Sequence, residues 1–265
     1  MEQNKKYALV TGATSGIGFE LAKLLAQDKY NLVIAGREQM SLDQTANELS
    51  KYNIEVVSIV KDLFNHDSPF QLYQEIKEKG IEIHVLVNDA GQGQYGEFVD
   101  TDIDREIDII QLNIISLVVL TKHFLKDMVS RGSGKILNVA SVASKIPGPY
   151  QSVYHGTKAF VHSFTEAIRS EVKESGITVT SLLPGVTDTD FFHKADMENA
   201  KIIKEGKKAE AADVAKDGFD ALMNDKDMIV SGFMNKVQVA MSNVTPDSMV
   251  ADKTKKQQEP ADESK

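Results

Sequence analysis

A chain of 265 residues, 42% of them hydrophobic, holds enough apolar material for a sizeable core and too much for a disordered chain; the length suits one large α/β domain or two small ones. Its formal charge of -9 argues against nucleic acid held in a general positive field and against anionic membranes, while leaving space for a local basic pocket that takes a small anion. No cysteine is present, which excludes disulfides and thiolate chemistry and fits a reducing compartment.

The N-terminal run MEQNKKYALVTG reaches a strand almost at once and leaves no room for a signal peptide, so a cytoplasmic protein is expected. That strand, Tyr7–Thr11, runs straight into TGATSGIG, residues 11–18. Gly12, Gly16 and Gly18 fall where a strand must turn and a helix must begin; glycine there allows positive φ and close approach to a ligand. The helix opening at about Ile17 points free N–H groups and its positive dipole end at that ligand, and a pyrophosphate is the expected guest. Thr14 and Ser15 belong to the same expected contact set. The spacing, G-x3-G-x-G, differs from the G-x-G-x-x-G of many dinucleotide folds. A tight βα loop without a ligand is the plainer reading, and flanking Thr11 and Ser15 weigh against it.

The second strand, Asn31–Ala35, ends at Gly36–Arg37, where dinucleotide folds meet the adenosine ribose. An acid there would bond the 2′-hydroxyl; Arg37 can instead pair with a 2′-phosphate, so NADP(H) is expected over NAD(H). The alternative is a solvated Arg37 whose field is offset by Glu38. Beyond the third strand, Glu55–Val60, Asp62 is a candidate for the adenine amino group, with Leu63 beside it. The fourth strand, His84–Asn88, is followed by the most apolar stretch, NIISLVVLTKHFL, which Lys122 and His123 interrupt before it could span a bilayer.

After the fifth strand, Lys135–Ala140, comes SVYHGTKAF, which sets Tyr154 and Lys158 one helical turn apart. Tyr73 and Lys77 have the same spacing, so the pair alone proves nothing. Strands at Thr178–Leu183 and Met228–Ser231 complete the set. Alternation of apolar strands with helical periodicity predicts a doubly wound, mostly parallel seven-stranded sheet with helices on both faces, a Rossmann-like fold. One domain is expected over 1–244, with a substrate lid at about 186–210; residues 245–265, charged and nearly free of large apolar groups, are expected to be a flexible tail.

These motifs, in this order, resemble the short-chain dehydrogenase/reductases in their compact single-domain form, over roughly residues 5–235. TGATSGIG is similar to that family's cofactor turn, and NDAG at 88–91 to its Asn-Asn-Ala-Gly, which adds Asn88 and Ala90 to the expected cofactor contacts. Asn113, Ser141, Tyr154-x3-Lys158 and PGVTDT at 184–189 resemble the rest. Ser141 lies thirteen residues before Tyr154, a spacing the family uses, whereas Val60 holds that place before Tyr73. The resemblance implies an NADP-dependent oxidoreductase acting on a carbonyl or secondary alcohol of a small molecule. Tyr154 would exchange the proton, Lys158 would lower its pKa and bind the nicotinamide ribose, and Ser141 would hold the substrate oxygen. Asn113 would support a proton relay, against the rival reading of a plain buried amide. Pro184 and Gly185 would turn the chain so that the backbone of Val186 and Thr187 and the side chain of Thr189 hold the carboxamide. A homodimer or homotetramer paired through the helices near 102–131 and 152–174 is implied as well.

Asp89 departs from the pattern, since a carboxylate accepts where asparagine also donates, and its charge should weaken diphosphate binding unless it turns away or is paired. On the substrate side Phe191, Phe192 and Met197 offer apolar contact, residues 91–96 and 145–150 should add walls, and the lysines of 194–208 read as a solvated face. His193 reads as a surface or lid residue. The competing function is a non-catalytic dinucleotide-binding sensor or scaffold, which needs no Tyr–Lys pair.

Overall fold

The computed structural model describes residues 6–242 and 244–261. Seven parallel strands form one sheet in the order β3-β2-β1-β4-β5-β6-β7. They are β1 (Tyr7–Thr11), β2 (Asn31–Gly36), β3 (Val56–Val60), β4 (Ile83–Asn88), β5 (Gly134–Val139), β6 (Ile177–Leu183) and β7 (Met228–Val230). Each expected strand is found, with ends shifted by one residue at most.

Strand alternation feeds two cores. Leu9 of β1 packs with Val33, Leu86 and Phe124, while its neighbours Ala8 and Val10 pack with Leu21, Leu25 and Leu32 on the other face. On that second face lie α1 (Gly16–Gln27), α2 (Gln39–Ser50) and, later in the chain, α9 (Ala211–Met223). The first face is covered by α3 (Ser68–Glu78), a long helical segment at 103–131, and α6 (Ser152–Glu171).

The long segment consists of α4 (Ile103–Ile110), one π-helical turn (Gln111–Ser116) and α5 (Leu117–Arg131). It runs through Lys122 and His123 for 29 residues and contains an 18-residue window with a mean hydropathy of 1.4, so the two residues do not interrupt the helix. By length and composition alone it could cross a membrane, but Leu112, Leu117, Leu120, Phe124 and Met128 are spent in the protein core.

The C-terminal stretch also differs from expectation. After α7 (Phe191–Lys194), α8 (Lys201–Lys204) and α10 (Phe233–Ser242), residues 247–258 form a further helix, α11 (Asp247–Gln258). It folds back onto the lid region instead of trailing away. Tyr95 donates its hydroxyl to Gln258 O at 2.5 Å, Lys201 N donates to Glu259 O at 3.0 Å, and Ala261 N to Asn199 O at 2.8 Å. Thr254 and Gln258 are buried, so this helix is held by hydrogen bonds and polar packing that leave no hydrophobic signature.

Order reverses between β1 and β4, the two central strands. A crevice opens beyond their C-terminal ends, which is where an open α/β sheet binds ligands.

Candidate active site

The turn after β1 and the loop after β4 face each other across that crevice. Gly12 and Gly16 have φ of +73° and +56°, conformations that favour glycine. A Cβ on Gly12 would meet Ala90 N at 2.9 Å, and one on Gly16 would meet the Thr189 methyl at 2.9 Å, so backbone approaches closely on both sides. Ser15 begins α1 without capping it by a side-chain bond, which leaves first-turn N–H groups for a ligand. Thr11 ties the two loops together: its hydroxyl accepts from the N–H groups of Asp89 and Ala90, each at 3.2 Å.

The crevice is an open cleft with a volume of about 320 Å³. Gly12, Thr14, Ser15, Gly16, Ile17, Arg37, Asp62, Leu63 and Ala90 line one part of it, and Ser141, Tyr154, Lys158, Pro184, Gly185, Val186, Thr187 and Thr189 another. Three expected contacts lie elsewhere. Asn88 is buried, and its amide donates to Thr121 Oγ1 at 3.0 Å and Asn138 Oδ1 at 2.9 Å, joining β4 to β5 and α5. Gly18 sits behind the turn, where a Cβ would be 2.5 Å from Asp89 Oδ2. Asn113 is also buried: its Oδ1 accepts from Gln92 N at 3.0 Å, and its Nδ2 donates to Gln92 O at 2.9 Å and Thr157 Oγ1 at 3.0 Å. Both polar atoms of that amide have partners within the protein. It pins the 91–92 loop to α6, and both its Oδ1 and the Lys158 ammonium lie 3.3 Å from the point a Cβ on Gly91 would occupy.

At the far end of the cleft Arg37 is exposed and lies over the Phe64 ring, 5.2 Å from its centroid, with Lys61 also lining the wall. Lys61 and Phe64 were not singled out in the sequence, although Lys61 directly follows the third strand and was the signal available there. Among the described residues Arg37 has no carboxylate ion pair.

At the near end Tyr154 and Lys158 share one face of α6, and the ammonium stands 5.8 Å from the phenol ring centroid. Ser141 begins a short 3-10 turn, accepts from Ala143 N at 3.1 Å and donates to Pro184 O at 3.3 Å, which fixes its hydroxyl beside that of Tyr154. Burial pushes the Tyr154 phenol up to about 12, helped by the Asp89 charge and opposed by the Ser141 hydrogen bond. The expected lowering by Lys158 is absent. The ammonium instead donates to Val139 O at 2.8 Å and faces Asp89. Burial lowers Lys158 to about 8 against the pull of that carboxylate, and burial raises Asp89 to about 7 against Lys158 and the Gly18 N–H. Asp89 thus sits against the glycine turn, within the field of Lys158 but with no ion pair to it among the described residues.

The control pair behaves as a surface pair. Tyr73 and Lys77 both donate to Asp127, at 3.2 Å and 3.1 Å, on the outside of α3 and α5. His193 is exposed and meets only Glu198, at 2.9 Å. Phe191, Phe192 and Met197 line the cleft, with the Phe191 ring 5.0 Å from that of Tyr154. Gln151, Thr254, Gln257 and Gln258 complete the wall and were missed in the sequence, since single polar residues in a helix or tail carry no motif.

A doubly wound parallel sheet with a glycine-rich turn and a tyrosine, lysine and serine gathered at the switch point defines a dinucleotide-binding oxidoreductase class. Residues 6–200 match the family model for short chain dehydrogenases, and the chain belongs to that family. It is 38% identical over 186 residues to the very-long-chain 3-oxoacyl-CoA reductase of Bos taurus, an alignment covering 68% of this chain and 58% of that protein. The chain thus matches a little over half the length of that relative. An uncharacterized oxidoreductase of Bacillus subtilis is 34% identical over 190 residues, 72% of each chain. Among solved structures, a short-chain dehydrogenase from Sphingobium yanoikuyae in complex with NADPH superposes with a TM-score of 0.81 at 25% identity, covering 90% of this chain and 94% of that one.

Proposed function

We propose that the protein is an NADP(H)-dependent oxidoreductase of small-molecule carbonyls and secondary alcohols. The observation that carries this reading is the meeting of Tyr154, Ser141 and Lys158 at one end of a cleft whose other end holds Arg37 and Lys61. Gly12, Gly16 and the first turn of α1 fit a diphosphate, and Arg37 with Lys61 fits a 2′-phosphate better than a bare ribose. When bound, the nicotinamide supplies or takes the hydride.

The chain's own residues handle the oxygen and the proton. Tyr154, protonated far above neutrality, is a proton donor to the developing alkoxide during reduction. Ser141 holds the same oxygen and stabilises its charge. Lys158 is placed to hold ribose hydroxyls and to support the phenolate as the proton leaves. Asn113 supports the relay by positioning Gln92 and Thr157 around Lys158, since its side chain has no free polar atom left. The backbone of Val186 and Thr187 and the hydroxyl of Thr189, whose methyl borders the glycine turn, fit a carboxamide.

An exposed stripe of Ile103, Ile107 and Ile110 on α4, with Phe160 on the adjoining α6, supports assembly as a homodimer or homotetramer through these helices. The test of function is NADPH consumption across a carbonyl panel that includes a 3-oxoacyl thioester, the class for which the bovine relative is named. Tyr154→Phe should reduce turnover at least ~100-fold while NADPH still binds. Cofactor binding with no turnover on any carbonyl, and no effect of the substitution, would instead support a sensor.

A further inference from the structure

The wall of the cleft opposite the nucleotide turn contains two amide groups that each keep one polar atom without a partner among the described residues. Gln151, one residue before α6, is 5% exposed, and its Nε2 has no hydrogen-bond partner. Gln258, the last residue of α11, is also 5% exposed, and its Oε1 has none. Both line the same cleft as Tyr154. A buried amide left unpaired is costly, so each one in the wall of a binding cleft calls for an explanation, and a ligand group is one.

Their placement relative to the reacting centre is fixed. Gln151 Nε2 and the Tyr154 ring edge each lie 3.3 Å from the point a Cβ on Gly93 would occupy, with Phe191 at 3.0 Å from the same point. A side chain larger than hydrogen at position 93 would separate them. Gln258 reaches the same helix face one turn further on, since His155 follows Gln151 by four residues and Gln258 Nε2 lies 3.4 Å from His155 Nε2. His155 Nδ1 is 2.9 Å from Ile146 O and so carries the proton of a ring that burial keeps neutral. Its Nε2 therefore accepts, which turns the amide nitrogen of Gln258 toward it and leaves Oε1 as a buried acceptor without a partner among the described residues. The result is an unpaired donor and an unpaired acceptor in the wall of the cleft that Tyr154 also lines.

The tail helix is what delivers the second of these. The 2.5 Å bond from Tyr95 to Gln258 O and the bonds from Lys201 to Glu259 and from Ala261 to Asn199 anchor the end of α11 against the lid and the 91–96 loop. We propose that α11 is a wall of the substrate site, and that Gln151 and Gln258 hold a neutral group of the substrate that both accepts and donates hydrogen bonds. The substrate is then a carbonyl compound with an amide or hydroxyl group a short distance from the reacting carbon, in preference to a plain hydrocarbon ketone. This rests on the reading of Tyr154 as the site of carbonyl reduction.

The test uses the full chain with NADPH and two ketones of equal length: N-butyl-3-oxobutanamide and 2-nonanone, in which the amide is replaced by two methylenes. The readout is the ratio of their kcat/KM values in the wild type and in Gln151→Met and Gln258→Met, which keep the side-chain length. The wild type should favour the amide, and each substitution should lower the ratio by about tenfold, as loss of a hydrogen bond to a buried partner does. Thermal melts of the variants show whether they are folded, and the ratio is independent of the active fraction. A ratio that moves less than about twofold in both folded variants overturns the inference. Turnover of 2-nonanone that disappears in Tyr154→Phe establishes the parent reading whatever the amide does. Turnover of neither ketone by a chain that binds NADPH removes both.

Discussion

Replacing Asp89 by asparagine should make the protein more stable at neutral and alkaline pH and leave its stability in acid nearly unchanged. Asp89 Oδ2 is wedged against the glycine turn, 3.0 Å from where a Cβ on Gly12 would stand, and burial raises its pKa from 3.8 to about 7. A carboxyl whose folded pKa exceeds its unfolded value destabilises the fold as it ionises. The penalty is absent below the unfolded pKa of 3.8, grows as the unfolded chain releases its proton, and is complete above the folded value of about 7. Three pKa units correspond to about 4 kcal/mol in full. Part of this is offset because ionised Asp89 supports the buried ammonium of Lys158, which the substitution removes. The expected net gain for Asp89→Asn, measured by urea unfolding of the free protein, is about 2 kcal/mol larger at about pH 8 than at about pH 5. NADPH should also bind about fivefold tighter to the variant at the higher pH, where the wild-type carboxylate adds a like charge near the diphosphate. A stability difference between the two proteins that stays constant across this pH range would refute the inward, desolvated placement of the carboxylate.

Three further outcomes are expected. Arg37→Asp should cut the preference for NADPH over NADH by at least ~10-fold in kcat/KM, because a carboxylate at the end of β2 bonds a ribose hydroxyl and repels a phosphate. His162 is buried against Ser181 Oγ at 3.0 Å, and burial, helped by Lys145, holds it down at about 4. Its contribution is fully present above the unfolded pKa of 6.5 and is lost as pH falls toward about 4, so His162→Gln should remove roughly 2 kcal/mol of acid-induced destabilisation in that window, read from urea melts. Deleting residues 245–265 should raise KM for a carbonyl substrate at least ~10-fold while the NADPH Kd, measured by fluorescence, stays within about twofold, since α11 braces the lid and not the nucleotide turn.

The strands and the nucleotide turn were legible because their signals are local. An apolar run such as Leu32–Ala35 reads as a buried strand by itself, and glycines at 12 and 16 mark the turn where positive φ is needed. The Tyr154–Lys158 pair became legible only through Ser141 at a fixed distance, and the surface position of Tyr73 and Lys77 shows why the spacing alone would mislead. Other features depend on where a side chain turns, which a sequence does not display. Asn88 looked like a cofactor contact from its motif, yet it faces Thr121 and Asn138 in the interior. Asp89 gave no sign of whether its charge pointed at the ligand or at Lys158. The tail was misread because hydropathy was the criterion. Val250, Thr254 and Gln258 recur every four residues and put one face of α11 toward the protein, but two of the three are polar, so the helix disappears from an apolar pattern.

Two kinds of construction meet at this cleft, and their difference bears on which parts govern specificity. The chemical end is fixed by short bonds among core elements: Thr11 to the 89–90 loop, Asn113 to Gln92 and Thr157, Thr157 to Tyr154 O at 2.7 Å, and Asn88 through Asn138 to Thr165. The π-helical turn at Gln111–Ser116 belongs to this frame, since it interrupts the regular ladder of the long segment at the point where Asn113 reaches both a loop and α6. The opposite wall is made of two four-residue helices and α11; the two short helices share a small apolar cluster around Ala195, Met197, Ala200 and Ile203, and α11 is tied to them by backbone contacts at 199–201 and 258–261. Residues on that wall can change size and polarity without strain in the core. Substrate selection should therefore respond to substitutions at Phe191, Met197 and Gln258 far more than to any in the frame, while substitutions in the frame should lower turnover of every substrate alike.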